Sequence, residues 1–368
     1  MTSRSNQRNK EIVWAYWQKM NYATPGQVAG IVKEAIHPDV NWNASAPINQ
    51  ILGVDALITD FWEPLRRSFP DIKRNPYIFM GGIDTETVYG EQRGEEWVAG
   101  VGYLTGTFVQ DWLGIPATGK KTNIHFGQFY VMREGKIAEC YVQFDILAVI
   151  RQAGFQVLPP APGGEGGKIP PPVAGDGILL TEQDALEGRK SLQLVEAMGR
   201  GLERYVRSRD GGDMTSMEQW RYWHPQMKWY GPSGIGACLN LEEFQDFHQR
   251  PWLHGFGDRN LTRDGGGRVM GFIGEGKYAC GGVWDTVFSV NHGDYAGIPA
   301  TKKLMRMRDF DWWKREGDQI IENWVPIDMV DLCLQLGVDL FERLRCQIEL
   351  RKRGIQWYDP QALLSEPS

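Results

Sequence analysis

Between Asn9 and Met20 the apolar residues Ile12, Val13, Tyr16, Trp17 and Met20 recur at helical spacing and predict an amphipathic helix. A second short helix is expected over 28–36, stopped by Pro38, with a brief strand at 40–43 after it. A third helix is expected over 55–68, with Ala56, Leu57, Phe61, Trp62 and Leu65 on its apolar side. From Ile72 onward the period changes. Segments 77–81, 87–91, 97–110, 122–133 and 137–145 are β-branched or aromatic, are separated by Gly, Asp or Asn, and read as strands. Arg133-Glu134-Gly135-Lys136 is a hairpin turn signal. Helices followed by an antiparallel run indicate an α+β domain.

The pattern then repeats. Gly114-Ile115-Pro116-Ala117-Thr118 recurs as Gly297-Ile298-Pro299-Ala300-Thr301, 183 positions on. His37-Pro38 followed by Trp42 recurs as His224-Pro225 followed by Trp229, 187 positions on. Asp145 and Asp328 stand nine residues before Gly154 and Gly337. Three anchors in one order indicate a duplicated domain rather than a solenoid, whose period is shorter. The expected division is 1–155, a Pro/Gly-rich linker at 156–180, and 181–368. In the second copy, helices are expected over 185–207 and 241–247, and strands over 269–273, 278–290, 303–314 and 320–327. Thr181 is the expected cap of the first helix. A long terminal helix over 329–351 carries Leu332, Leu336, Leu340, Leu344 and Ile348 at steps of four; its excess over the first copy could pack on the other domain or on a second chain.

Composition narrows the partners. A net charge of −6 supplies no basic stripe for nucleic acid. The first ten residues are polar with no apolar segment behind them, and no run of eighteen apolar residues occurs, so no leader and no membrane span are expected and the cytoplasm is the expected compartment. Five scattered cysteines argue against a disulfide framework and a zinc site, and no metal is expected. With 15 Trp, 13 Tyr and 15 Phe, the aromatics serve as core or as walls of a pocket for a flat, apolar ligand.

Several phrases carry a resemblance: His37-Pro38-Asp39-Val40-Asn41-Trp42, Leu65-Arg66-Arg67-Ser68-Phe69-Pro70-Asp71, Leu104-Thr105-Gly106-Thr107-Phe108, Gly114 to Gly119, Arg133 to Glu139, then Asp145 and Gln152-Ala153-Gly154. In that order they resemble the SnoaL-like polyketide cyclases (ester cyclases) of the NTF2-like superfamily, over nearly all of residues 10–155. The second copy retains fewer of them. The resemblance implies two tandem cone domains, each a curved antiparallel sheet wrapped by helices around a deep pocket. It also implies intramolecular aldol closure of a small-molecule polyketide ester without a cofactor, and pairing of domains through their sheets. A fused tandem would form that pair within one chain, with a homodimer through the terminal helix as the further option.

Aldol chemistry needs a base beside a carbonyl and a donor for the oxyanion. Alternation places Glu139, Tyr141, Gln143 and Asp145 on one face of the last strand, and Glu322, Trp324 and Asp328 on one face of its counterpart. Asp145 and Asp328 are candidate bases or, equally, caps of the following helices. The resemblance further implies an acid or histidine in the preceding strand. The first copy offers His125, aligned with Met307, while the expected histidine position reads Gln128 in the first copy and Phe310 in the second. Asp309 and Asp311 share a face there; Asp311, beside Trp313, is either an acid/base group or part of an exposed charged edge. After the Thr-Gly-Thr phrase Phe108 and Asn291 stand where the family often has histidine, with His292 one residue along. Trp42, Trp229 and Tyr230 are substrate-wall candidates or core. Asp264-Gly265-Gly266-Gly267 reads as a turn and not a phosphate cradle. Two functions stay open: a cofactor-free acid/base enzyme (cyclase, lyase or isomerase) acting on a partly apolar carbonyl compound, or a small-molecule-binding or scaffolding protein. Which copy is active is also open.

Overall fold

The computed structural model describes residues 3–84, 94–205, 212–257 and 267–355. The strand expected at 87–91 and most of the turn expected at 264–267 lie outside the described residues. The first copy runs α1 (Ser3–Tyr22), α2 (Pro25–Ala35), β1 (Ile36–Ala44), β2 (Gln50–Leu52), α3 (54–68, π-helical over Leu57–Trp62), β3 (Lys73–Ile83), β4 (Glu96–Thr107), β5 (Lys121–Arg133), β6 (Lys136–Phe144) and α4 (Ile146–Gln152). The second runs α5 (Ala185–Glu203), β7 (Trp223–Tyr230), β8 (Ala237–Cys238), α6 (241–256, π-helical over Phe244–Gln249), β9 (Arg268–Glu275), β10 (Tyr278–Val290), β11 (Leu304–Glu316), β12 (Gln319–Trp324), α7 (Met329–Gln335) and α8 (Leu340–Lys352). Two short 3₁₀ turns, Met214–Met217 and Gln219–Arg221, stand before β7 where the first copy has α2.

Each copy forms a six-stranded sheet, in the orders β2-β1-β6-β5-β4-β3 and β8-β7-β12-β11-β10-β9. The sheets are mixed, which corrects the wholly antiparallel expectation. β1 pairs parallel with β6, and β7 with β12, because each first strand comes from the helical segment and joins the last strand only after the rest of the sheet is laid down.

The strand register also corrects the alignment of the copies. Arg133 pairs with Lys136 and Glu316 with Gln319, so the hairpin turns are Glu134-Gly135 and Gly317-Asp318. The shared Arg-Glu-Gly phrase is therefore one residue out of structural register. Asp145 N donates to His125 O and Asp328 N to Arg308 O, so His125 corresponds to Arg308 and not Met307, and Gln128 to Asp311 and not Phe310. A slip of one residue moves a whole strand to the other face.

Two helix expectations change as well. The terminal helix breaks at Gly337, whose φ of +88° ends α7 while Val338 N reaches back to Cys333 O at 2.9 Å. Asp339 then caps α8. The cap of α5 is Asp184, accepting from Leu186 N at 2.7 Å, rather than Thr181.

The two sheets pack outer face against outer face. Phe129 of β5 meets Phe310 and Trp312 of β11 at ring centroid distances of 5.0 Å, and Tyr141 meets Trp284 at 5.6 Å. The 156–180 stretch is bound to both copies: Phe79 N and O pair with Gly177 O and Leu179 N, and Trp324 Nε1 donates to Pro170 O at 3.0 Å. Helix α8 takes the first of its two options and clasps the segment after α4, with Gln347 Nε2 on Gln156 O at 2.7 Å and Arg351 over the Phe155 ring.

Reciprocal aspartates tie the interface. Asp145 caps α4 through Ala148 N at 2.8 Å and accepts Ser233 N from the other copy at 2.9 Å. Asp328 caps α7 through Asp331 N at 3.1 Å and accepts Ala46 N at 2.8 Å. Ala46 and Ser233 are 187 positions apart, the offset of the first strands, so the exchange is pseudo-twofold. Lys10 of α1, fully buried, pairs with Glu275 of β9 at 2.5 Å, and Glu275 also accepts Gly81 N.

Asp328→Ala should lower unfolding free energy by about 2 kcal/mol or more, since it removes a cap and strands the buried Ala46 N–H; denaturant titration measures it. Lys10→Met should cost about 3–5 kcal/mol by leaving Glu275 buried without its cation, and adding Glu275→Leu should recover much of that loss. A double-mutant cycle checks the non-additivity.

Candidate functional site

Alternation along β11 turns Met307, Asp309, Asp311 and Trp313 inward, away from the other copy. With Trp229 of β7, Asn323 of β12, Val325 just beyond it, and Phe244, His248 and Trp252 of α6, they enclose a cavity of about 310 Å³. Asp309 and Asp311 are one pleat repeat apart on the same face of β11 and both line the cavity. Asn323 Nδ2 donates to Asp311 Oδ1 at 2.9 Å and to Trp312 O at 3.1 Å, which orients the Asp311 carboxyl. Burial among apolar walls raises both carboxyls, Asp309 to about 6, and the Asp309 charge raises Asp311 further. The pair titrates as a unit that holds a proton well above the ordinary carboxylate range. The His248 ring stacks on Trp229 with centroids 4.0 Å apart.

The same space in the first cone is filled. Phe126 and Gln128 stand where the second copy has Asp309 and Asp311, and both are fully buried. Between the rings lies the Arg74 guanidinium, 4.4 Å from the Trp17 ring and 4.6 Å from Phe126, donating to Gln128 Oε1 at 2.5 Å. Trp17 Nε1 donates to Tyr130 OH at 3.0 Å, and Trp42 packs on Phe61, Trp62 and Tyr130 with no exposed surface.

The candidates of the sequence thus separate. Asp311 and Trp229 meet in the second cone. Trp42 is core. Glu139, Tyr141, Glu322 and Trp324 occupy the outer faces: Glu139 pairs with Arg133 at 2.5 Å and accepts from Tyr141 OH, and Glu322 accepts Val173 N. Asp328 is buried under its cap bonds and Arg308, with burial raising its carboxyl to about 6. Burial likewise raises Asp145. His292 sits beside α6, its N–H on Gly255 O, while Asn291 holds the Gly297–Thr301 loop through Thr301 N at 2.6 Å.

His125, Asp145 and Tyr230 line a second cavity, of about 710 Å³, between the copies. Tyr103, Arg151, Lys168 and Lys228 share it. The His125 Nε2 lies 2.6 Å from Tyr77 OH, and burial holds its imidazole down to about 3, so it is neutral at physiological pH. Among the described residues no group of three or more His, Cys, Asp or Glu side chains converges to hold a metal ion, and no helix is long and apolar enough to cross a membrane.

Residues 19–153 match the family described as SnoaL-like polyketide cyclase. The match spans most of the first copy. That copy's strand order recurs strand for strand in the second copy. Among solved structures the chain is similar to a SnoaL-like polyketide cyclase candidate from Jannaschia sp. CCS1, at 18% identity over 41% of this chain and 94% of that one, with a TM-score of 0.33. A SnoaL-like polyketide cyclase from Agrobacterium tumefaciens str. C58 gives 18% identity over 40% of this chain and 98% of that one, with a TM-score of 0.30. An NTF2-like protein of unknown function from Burkholderia pseudomallei K96243 gives 16% identity, 40% and 98% coverage, and a TM-score of 0.30. No curated protein matches the chain. The cone that carries the SnoaL-like match is the filled one.

His248 was not singled out from the sequence, although Phe244, His248, Trp252 and Phe256 at steps of four spell an aromatic helix face that carries one titratable ring.

Because the folded pair keeps a proton that the unfolded chain releases near 3.8, its contribution to stability is complete below that pH and is lost as pH rises through 6 and above. The double variant Asp309→Asn/Asp311→Asn should therefore gain stability relative to the parent between pH 4 and pH 7, by at least about 1 kcal/mol. Denaturant melts of both proteins across that range measure the sign.

Proposed function

We propose that this protein is a cofactor-independent acid/base enzyme whose active site is the second cone, acting on a small, largely apolar carbonyl compound, with the SnoaL-like first copy as its structural partner. The observation that carries this reading is the placement of Asp309 and Asp311 side by side inside an aromatic cavity, where burial raises both carboxyls. An ionised carboxyl in such a place is a stronger base than in water, and its protonated neighbour is a donor at hand.

The chemistry balances within the pair. The ionised carboxyl takes a proton from the carbon beside the substrate carbonyl, and the electron pair of that C–H bond passes to the carbonyl oxygen as an enolate. In an intramolecular aldol step the enolate carbon bonds to a second carbonyl carbon, whose oxygen takes the proton of the other carboxyl. The pair ends with the proton count it began with, the two roles exchanged. Asn323 is a positioning residue in this scheme, since both its bonds are to the protein. Trp229 and His248 form the wall against which the substrate lies. Asp145 and Asp328 act as caps and interface ties.

A second reading, a binding protein without chemistry, draws on the filled first cone, where a cavity of this fold has been given over to packing.

Deuterium exchange at the carbon between the carbonyls of aryl β-keto esters, followed by NMR in D₂O, tests proton abstraction without knowledge of the final product. Exchange above the buffer rate is expected, slowed about 100-fold or more in Asp311→Asn with the melting temperature preserved. A panel that exchanges no faster with protein than without it would leave the binding reading in its place.

A further inference from the structure

The second cone also has a charge preference. Asp309 and Asp311 both open into it. Among the described residues no Lys or Arg lines it. Much of the remaining wall is ring surface, from Trp229, Trp252, Trp313 and Phe288 among others. Ring faces carry the negative side of the aromatic quadrupole and attract cations. A carboxylate or phosphate entering this space would meet like charge in a medium of low dielectric, where repulsion is strong.

The first cone shows what this geometry holds when the chain supplies the guest itself. There the Arg74 guanidinium lies between the Trp17 and Phe126 rings and donates to Gln128, the residue in the structural place of Asp311. A cation thus sits on aromatic faces with its N–H directed at that one strand position. The second cone loses the Phe126 ring to Asp309 but has ring surface from Trp229, Trp252 and Trp313, and its acceptor is strengthened from an amide to a carboxyl.

We propose that the ligand of the second cone carries a protonated amine, seated between the Asp309–Asp311 carboxyls and the surrounding tryptophan rings. The proposal rests on the reading that this cone is the working site, but not on its performing proton abstraction. For the substrate class it means an amino-ketone or amino-ester rather than an acid or an acyl phosphate.

Tryptophan fluorescence titration with 2-phenylethylamine and with the neutral 2-phenylethanol, which match in size, tests it at pH 7. The amine should bind at least about 10-fold more tightly than the alcohol, a ratio that charge-assisted hydrogen bonding supplies. In Asp309→Asn/Asp311→Asn the amine should fall to the alcohol's affinity while the alcohol is unchanged. Equal affinity of the two probes for the parent protein, no binding of either, or amine affinity that survives the double substitution would overturn the proposal. The first comparison needs no variant, so it stands even if the double variant fails to fold. Keto-ester exchange that persists without amine preference removes this inference alone; amine preference without exchange removes only the acid/base reading.

Discussion

Everything in this molecule is arranged around the burial of one sheet's outer face against another's. An antiparallel-rich sheet usually has one face for its own core and one for water. Here the second face is apolar and aromatic in both copies, from Phe129 and Tyr141 to Phe310, Trp312 and Trp324, and each sheet is the other's cover. Polar groups caught in the same interface are satisfied across it. Asp145 and Asp328 each cap a helix of their own copy and accept an amide from the other, and Lys10 finds Glu275. The linker and α8 then lie along the seam and bind both sides, so the tandem behaves as one packed unit rather than as two tethered beads.

That arrangement frees the inner faces to diverge. A sheet buried on both sides keeps its cone only if the helices stand off from it. In the first copy they do not: Trp17, Trp42, Phe126, Tyr130 and Arg74 occupy the space. In the second copy Phe126 and Gln128 are replaced by Asp309 and Asp311, and a cavity remains around two carboxyls. Low dielectric does the rest: the same walls that make charge costly raise both carboxyls, Asp309 to about 6. The family match lies in the copy whose cone is closed.

The amino-acid sequence by itself determined the duplication, the α+β order of each copy, and the alternation that sets Asp309 with Asp311, because repeats, helical period and the two-residue period of strands are local properties of the chain. It also made Asp145 and Asp328 legible as caps, since capping depends on the first turn alone. What it left undecided was direction: which face of β6 and β12 looks into a cone and which onto a neighbour. Both faces are apolar and aromatic, so hydrophobic pattern carries no sign, and the Arg-Glu-Gly phrase misled by one residue because the two hairpins turn on different pairs. Only the tertiary structure resolved this. Whether a carboxyl meets solvent, a partner sheet or an empty cavity depends on residues distant in the chain, and the placement of Glu139 and Glu322 at a seam, and of Asp309 and Asp311 in a cavity, follows from packing between elements that no local pattern encodes.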